Sequence, residues 1–302
     1  MIKLKRIALL VSLCAAVGTA PAQQPLPKQQ DQVQVQDGIQ VRPMSRLRVL
    51  VSEEQMEKQA GQQYAQMMSQ AGAKRALAPE NHPQLLRLRA IAKRIIPYTT
   101  RWNPAAADWK WEVNLLASGD VNAFCMPGGR IAFFTGILTK LNLTDDEVAA
   151  IMGHEISHAL REHGREQAAK STGTSLIARL AGAGVAAYFG LDPRMTDSVA
   201  QGASQLAALK YSRDDEREAD LIGLDLAARA GFDPRAGIAL WQKMGALSKS
   251  QPISLLSTHP GGQDRITQIS NHMNVLLPLY ARAKGTSADR LPAYRTTAIA
   301  AR

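Results

Sequence analysis

The sequence predicts an α+β fold that is mainly helical and carries a small β-sheet. Two stretches have both start and stop signals of a helix. Residues 144–164 open on a Thr-x-x-Glu capping box, residues 212–231 open on a capping serine, and each ends on a glycine. Residues 109–115 alternate apolar and polar side chains, which indicates a half-buried strand. Long amphipathic helices combined with short strands define this fold class.

The first 42 residues are expected to precede the fold. Residues 1–22 have a basic start, an apolar run and an Ala-Pro-Ala cleavage site, the pattern of a secretory signal peptide that would export the protein to the periplasm. Lipidation of Cys14 is not expected, because Leu13 stands where a lipidated cysteine needs a small residue. Residues 23–42 are rich in glutamine, proline and valine, and they predict a flexible linker.

The charge of the chain limits the classes of partner that it can be expected to bind. Its 302 residues include 36 basic and 26 acidic side chains, which gives a net charge of +10. No basic stripe with interleaved aromatic residues is present, and an exported protein would not meet nucleic acid, so we expect no nucleic-acid partner. Peripheral contact with a membrane remains an open alternative.

Cys125 is the single cysteine after the leader, so we expect no intrachain disulfide and a small buried hydrophobe at this position.

Residues 43–280 are predicted to form one domain. Within it, Ser52 opens a polar helix, and Pro83 and Pro97 bracket a second helix with aliphatic residues on one side. Residues 281–302 lack aliphatic periodicity and are expected to form a loose tail.

A Pro-Gly-Gly turn at residues 127–129 leads into a short β-type run at residues 130–134. One interpretation is a plain hairpin arm. The other is an edge strand beside a cleft, which could hold an extended peptide through backbone hydrogen bonds.

Residues 171–191 are small and apolar. They predict a packed helix or helical pair at the edge of that cleft, with membrane contact as a minor alternative.

The helix predicted over residues 144–164 contains the sequence HEISH. His154 and His158 are four residues apart and project from one face, where two imidazoles can bind the same metal ion. Glu155 lies beside them and could act as a general base. The alternative is a charged turn of a surface helix. Apolar residues at helical spacing place the pair near a buried face, where histidines need partners, so the rest of the chain should supply a third ligand.

Two further stretches could complete such a site. Glu216 and Asp220 are four residues apart and share a helix face, where one carboxylate could bind the metal and the other could orient an imidazole. A salt-bridged solvent face is the alternative. His259 lies in a Thr-His-Pro-Gly-Gly turn that could carry it over a cleft, with Arg265 in the helix that follows. Taken alone, such a histidine is more often a surface residue.

In the order HEISH, EREAD and STHP, these motifs resemble the exported members of the HtpX/CAAX-prenyl-protease superfamily of zinc metallopeptidases. The likeness is greatest to the Oma-like periplasmic branch that includes BepA and LoiP, and it covers about residues 52–274. The resemblance implies a helical gluzincin domain with a small sheet. It also implies one Zn²⁺ per chain, bound by His154, His158 and Glu216, with Glu155 as the general base.

The resemblance further implies that Asp220 buttresses a ligand histidine, and that His259 and Arg265 face the reacting carbonyl. In BepA-like members the loop histidine can also cap the metal in a resting state. Two departures matter. Cys125 replaces the alanine or similar residue usual in the NAF segment, and no tetratricopeptide repeats follow the matching region, so the partner-docking role of that module is not carried over.

The predicted function is a zinc-dependent endopeptidase that degrades unfolded or misassembled cell-envelope proteins, bound as extended segments along residues 130–134. A rival from another class is a chaperone or assembly factor for envelope proteins, in which the metal site is structural or silent. The sequence predicts neither the oligomeric state nor a cleavage preference.

Overall fold

The computed structural model describes residues 37–171 and 211–299. The predicted signal peptide, most of the predicted linker and residues 172–191 lie outside this part of the chain. The described α-helices are, in chain order, α1 (Glu53–Ala73), α2 (Pro83–Ile95), α3 (Thr135–Lys140), α4 (Asp145–Leu160), α5 (His163–Ser171), α6 (Arg213–Arg229), α7 (Ala236–Ser248), α8 (Ser254–Thr258), α9 (Gln263–Asn271) and α10 (Met273–Ala283). The described strands are β1 (Glu112–Leu116), β2 (Ala123–Met126) and β3 (Arg130–Phe134). None of these helices is long and apolar enough to cross a bilayer.

The elements confirm the prediction of a mainly helical α+β fold. The predicted capping box opens α4, because Thr144 Oγ1 accepts the backbone N–H of Glu147 at 3.2 Å and Glu147 Oε2 accepts the backbone N–H of Thr144 at 2.9 Å. Ser212 and Asp215 form a second capping box at the start of α6. These caps fix the first turns of the two helices that carry the predicted site residues.

The three described strands form a sheet in the order β1-β3-β2. β3 pairs in parallel with β1 and antiparallel with β2. The prediction that residues 130–134 form an edge strand is therefore wrong. The turn at residues 127–129 folds β3 back onto β2, while β1 takes the opposite side of β3. The sheet edge next to α4 belongs to β2.

Helix α4 packs on helix α6 at a pair of glycines. A Cβ atom added to Gly153 would lie 2.4 Å from the carbonyl oxygen of Gly223, and one added to Gly223 would lie 2.5 Å from the backbone nitrogen of His154. Real Cβ atoms do not approach other atoms so closely, so the two backbones meet where only glycine fits. The contact holds the two helices close enough for short side chains to reach across.

Residues 37–42 are fixed on the domain, unlike the flexible linker predicted for residues 23–42. Ile39 is 1% exposed, and its backbone N–H donates to Asp225 Oδ2 at 3.1 Å. The segment is held because its charged residues pair with side chains of the domain: Asp37 with Arg101, Arg229 and Arg282, and Arg42 with Asp215 and Glu218.

The C-terminal residues are also held, through residue 299, where a loose tail was predicted for residues 281–302. Residues 291–299 run without regular secondary structure past the start of α4. They are held because polar groups near this helix start bond to them: Tyr294 Oη lies 3.1 Å from Thr144 Oγ1, Asn142 Nδ2 donates to the carbonyl of Ala298 at 3.1 Å, and the Thr296 hydroxyl donates to Glu147.

The glycine contact between α4 and α6 can be tested by adding one methyl group. We expect Gly223→Ala to lower the free energy of unfolding by ~1–3 kcal/mol or more, because the new Cβ atom would force the helices apart. Gly245→Ala is the control, since this residue lies in α7 and a Cβ atom there would have no neighbour within 4 Å. It should stabilise the protein by up to ~1 kcal/mol. Chemical denaturation measures both, and equal stability of the two variants would contradict the packing described here.

Candidate metal centre

The HEISH sequence lies in the buried second half of α4. His154 and His158 project from the same face toward α6, as the spacing predicts, and their Nε2 atoms are 3.2 Å apart. Both side chains are buried. The alternative of a charged turn on a surface helix is therefore excluded by the structure.

Glu216 reaches these imidazoles from the first turn of α6. Its Oε1 atom lies 3.4 Å from His158 Nε2, and its Oε2 atom lies 3.6 Å from His154 Nε2. The carboxylate is 1% exposed. Burial acts to raise the pKa of Glu216, but the neighbouring imidazoles of His259 and His158 outweigh it and hold that pKa below its usual value. Glu216 is therefore an ionised oxygen ligand candidate facing two imidazoles.

His259 follows the short helix α8 and occupies the remaining side of the cluster. Its Nδ1 atom lies 3.2 Å from His154 Nε2 and 3.0 Å from Glu216 Oε1. Four side chains thus offer one ligand atom each within 4.8 Å of one another: His154, His158, Glu216 and His259.

The spacing and chemistry of these four atoms fit a metal ion. Ligands bound to a tetrahedral zinc ion at ~2.0–2.1 Å are separated from one another by roughly 3.3 Å. Burial lowers the pKa of His158 well below its usual value, which favours the neutral imidazole with a free lone pair. Lone pairs and a carboxylate that converge in a buried space repel one another unless a cation joins them. The donor set of three nitrogens and one oxygen suits zinc among other divalent metals.

Asp220 lies behind His154, on the side away from the cluster. Its Oδ1 atom is 3.1 Å from His154 Nδ1. Burial acts to raise the pKa of Asp220, but Arg265 and His154 outweigh it and lower that pKa, so the carboxylate is ionised. It can accept the Nδ1–H of His154, and this leaves the lone pair of Nε2 directed into the cluster.

Arg265 binds both carboxylates of α6. Its guanidinium donates to Asp220 Oδ2 and Oδ1, at 2.6 Å each, and to Glu216 Oε2 at 2.5 Å. Its flat face lies 3.7 Å from the ring centroid of Trp241. The resemblance implied that Arg265 faces the reacting carbonyl. In this structure Arg265 is 4% exposed, and its position suits holding the two carboxylates in place.

Glu155 stands beside the cluster without a strong partner. It is 3% exposed, and its Oε1 atom has no hydrogen-bond partner among the residues that the structure describes. His259 Nε2 is 3.8 Å from this oxygen. Burial raises the pKa of Glu155, although His259 and His154 oppose the shift. A carboxylate with a raised pKa and a free oxygen is suited to taking up and releasing a proton near neutral pH.

Several residues around the cluster were not predicted from the sequence. His163 Nδ1 lies 3.0 Å from His158 Nδ1, and the ring of Tyr211 stacks on His158 with 4.0 Å between centroids. Trp241 supports Arg265. Glu218 is also buried, so the alternative of a salt-bridged solvent face does not hold for this turn of α6. A third histidine five residues after the HExxH sequence was a usable signal, whereas single aromatic residues give none.

Comparison with known proteins identifies the family. A sequence model of peptidase family M48 matches residues 82–273, more than half of the chain. The chain belongs to peptidase family M48. The matched region of this M48 chain contains the four clustered side chains, together with Glu155, Asp220 and Arg265. The family predicted from the three motifs is thereby confirmed.

Curated relatives of this M48 chain include metalloendopeptidases. The mitochondrial metalloendopeptidase OMA1 of Schizosaccharomyces pombe is 33% identical over 221 residues, which is 72% of this chain and 61% of that protein. The putative beta-barrel assembly-enhancing protease of Vibrio cholerae is 32% identical over 181 residues, 55% of this chain and 35% of that protein. The metalloprotease LoiP of Escherichia coli is 26% identical over 210 residues, 69% of this chain and 78% of that protein. The chain thus spans about three fifths of the fission-yeast relative.

The relatives correct one prediction. OMA1 proteins of fission yeast, budding yeast, Arabidopsis thaliana, cattle and humans are mitochondrial by name. The prediction of a periplasmic location is therefore wrong. It rested on the pattern of residues 1–22, which lie outside the described part of the chain, and on a resemblance to exported proteins, and neither fixes a compartment.

Proposed function

We propose that this M48 chain is a zinc-dependent endopeptidase. The observation that carries the proposal is the convergence of His154, His158 and Glu216 beside Glu155, a buried carboxylate with a free oxygen. Zinc bound by these residues would supply a Lewis acid that makes a water molecule nucleophilic at neutral pH. The domain predicted over residues 43–280, with its two fixed flanking segments, would carry this activity.

Each residue has a distinct part in the proposed reaction. Glu155 accepts the proton of the attacking water on its free oxygen and then gives it to the leaving amine. Asp220 would accept the Nδ1–H of His154 and so leave the lone pair of the opposite nitrogen free to hold a metal. Arg265 binds Glu216 and Asp220 together, which keeps both carboxylates aligned.

The substrates are proposed to be unfolded protein segments that bind as an added strand. The backbone N–H of Phe134 donates to the carbonyl of Asn122 at 3.1 Å, so these two residues form a hydrogen-bonded pair. In an antiparallel ladder such pairs recur at every second residue, so the backbone groups of Phe124 and Met126 also face β3. Ala123 and Cys125 therefore direct their backbone groups away from β3, and the N–H of Ala123 donates there to Asn122 Oδ1 at 3.0 Å. The predicted peptide edge thus moves from residues 130–134 to β2, beside the cluster.

Strand addition recognises mainly the backbone of the bound peptide, so it favours chains without stable tertiary structure. We propose misassembled membrane-associated or envelope proteins as the clients. Support comes from the name of the Vibrio cholerae relative, a beta-barrel assembly-enhancing protease.

In a second candidate function the site binds a metal but does not cleave peptide bonds. Structural zinc sites are usually closed by four protein ligands, and here His259 supplies a fourth ligand atom. This observation favours a chaperone or assembly factor that holds extended segments without cutting them. Under our first proposal, by contrast, His259 would hold the fourth ligand position in a resting conformation and would have to vacate it for cleavage.

Replacing the proposed general base separates the two functions. Glu155→Gln keeps the shape of the side chain but cannot take up a proton, so we expect cleavage of a denatured client to fall at least ~100-fold while one zinc per chain is retained. Metal content is measured on the purified chain, and cleavage is followed on a denatured client and on its folded form. Glu54→Gln, on the exposed side of α1, is the control and should change neither quantity.

Full cleavage by the Glu155→Gln variant, or a purified wild-type chain without bound metal, would overturn the peptidase proposal. Retained function in cells with cleavage abolished would favour the chaperone instead. Equal cutting of the folded and denatured client would contradict only the proposed substrate class.

The position of His259 predicts opposite effects for two neighbouring substitutions. His259→Ala opens the fourth ligand position, so cleavage of an unfolded client should rise, or fall less than in Arg265→Ala, with one zinc retained. Arg265→Ala leaves two buried carboxylates unpaired, so both zinc content and cleavage should fall. Peptidase assays and metal analysis of both variants check this. Equal losses of activity with equal zinc content would rule out the blocking role of His259.

A further inference from the structure

His163 lies directly under the C-terminal end of α4. The chain turns sharply after that helix, because Glu162 has a φ of 53° and the next helix, α5, begins at His163. The turn brings the imidazole of His163 back against His158, with the two Nδ1 atoms 3.0 Å apart. His163 is 2% exposed, so this contact is sealed from solvent.

The contact couples the tautomers of the two imidazoles, because one Nδ1 atom must donate and the other must accept. A neutral imidazole has one N–H and one lone pair. If His158 directs the lone pair of Nε2 toward the cluster, its proton lies on Nδ1 and is donated to His163. His163 must then accept on its own Nδ1 and carry its proton on Nε2.

The surroundings of His163 Nε2 favour the tautomer that carries its proton on this nitrogen. Its Nε2 atom lies 3.6 Å from Glu218 Oε1 and 4.0 Å from Asp215 Oδ1, and it has no closer hydrogen-bond partner among the described residues. Two carboxylates attract an N–H dipole and repel a lone pair. Proton placement on Nε2 is therefore favoured by charge, and Nδ1 is left free to accept.

The two carboxylates are themselves held in position. Glu218 accepts from Arg161, and Arg42 Nε donates to it at 3.0 Å. Asp215 belongs to the capping box of α6 and also pairs with Arg42. The partners of His163 therefore cannot turn away without breaking these ion pairs, of which the pair between Arg161 and Glu218 is buried on both sides.

The two imidazoles of the HEISH sequence are thus supported in different ways. Asp220 Oδ1 lies 3.1 Å from His154 Nδ1 and can accept the N–H of that imidazole directly. His158 meets an imidazole first, with the carboxylate of Glu218 beyond it. We propose that His163 is a positioning residue, which accepts the Nδ1–H of His158 and so aims its Nε2 lone pair at the metal site. This inference rests on the proposed function, since it assigns His158 as a metal ligand.

Metal affinity tests the proposal without relying on activity. Partners of this kind typically contribute 10–100-fold to metal affinity. His163→Leu keeps the approximate bulk but cannot accept a proton, so its dissociation constant for zinc should rise ~10–100-fold. His163→Asn places an acceptor oxygen near the position of Nδ1 and should stay within a few-fold of wild type. Competition of the full-length chain with a chromophoric chelator measures both, and His272→Leu, outside the cluster, is the control for losing a histidine.

A second measurement does not depend on how well the variants fold. Long-range ¹H–¹⁵N correlation spectra of the zinc-loaded wild-type chain should show the proton of His158 on Nδ1 and that of His163 on Nε2. The inverse tautomer of His163 would overturn the proposal.

The remaining outcomes separate this inference from the function on which it rests. Wild-type affinity in His163→Leu would overturn the positioning role and leave the peptidase proposal intact. Equal weakening in the Leu and Asn variants would indicate packing alone and would also overturn it. A wild-type chain that binds no zinc would overturn both proposals.

Discussion

The close contact of α4 and α6 at Gly153 and Gly223 is the constraint on which the site depends. Packed helices usually lie 8–10 Å apart, axis to axis, and the distance depends on the side chains at the contact. Here two glycines meet backbone to backbone. His158 and Glu216, on the same side of this contact, can therefore come within 3.4 Å of each other. Larger residues at the crossing would separate the ligands that the two helices supply.

A cluster of buried charges surrounds this contact, and its value lies in geometry rather than in stability. Removing two carboxylates and a guanidinium from water costs free energy that their mutual attraction repays only when every bond is well formed. Arg265 meets this condition by donating to both oxygens of Asp220 and to Glu216. These bonds hold the imidazoles and the Glu216 carboxylate in fixed positions, so that the ligands do not need to reorganise when a metal binds.

The sequence was sufficient for helix starts and helix faces, although the helix predicted over residues 144–164 ends at Leu160 and Gly164 lies within α5. Capping and 3.6-residue periodicity placed His154 and His158 on one helix face and Glu216 and Asp220 on another, and the motif order indicated the family. It was insufficient where distant segments meet. The central position of β3 depends on pairing with β1, the burial of Glu218 depends on Arg42 and Arg161, and the approach of His163 depends on the left-handed turn at Glu162. Such contacts leave no periodic pattern in the chain.

The proposed site requires that three imidazoles and one carboxylate close around a single metal ion in the resting protein. X-ray absorption at the zinc edge of the purified full-length chain tests it most directly. We expect one zinc per chain with four nitrogen or oxygen neighbours at ~2.0–2.1 Å and the multiple-scattering signal of three imidazoles. The third imidazole should be lost in His259→Ala. A sulfur neighbour, a signal from two imidazoles in the wild-type protein, or the absence of zinc would contradict this coordination.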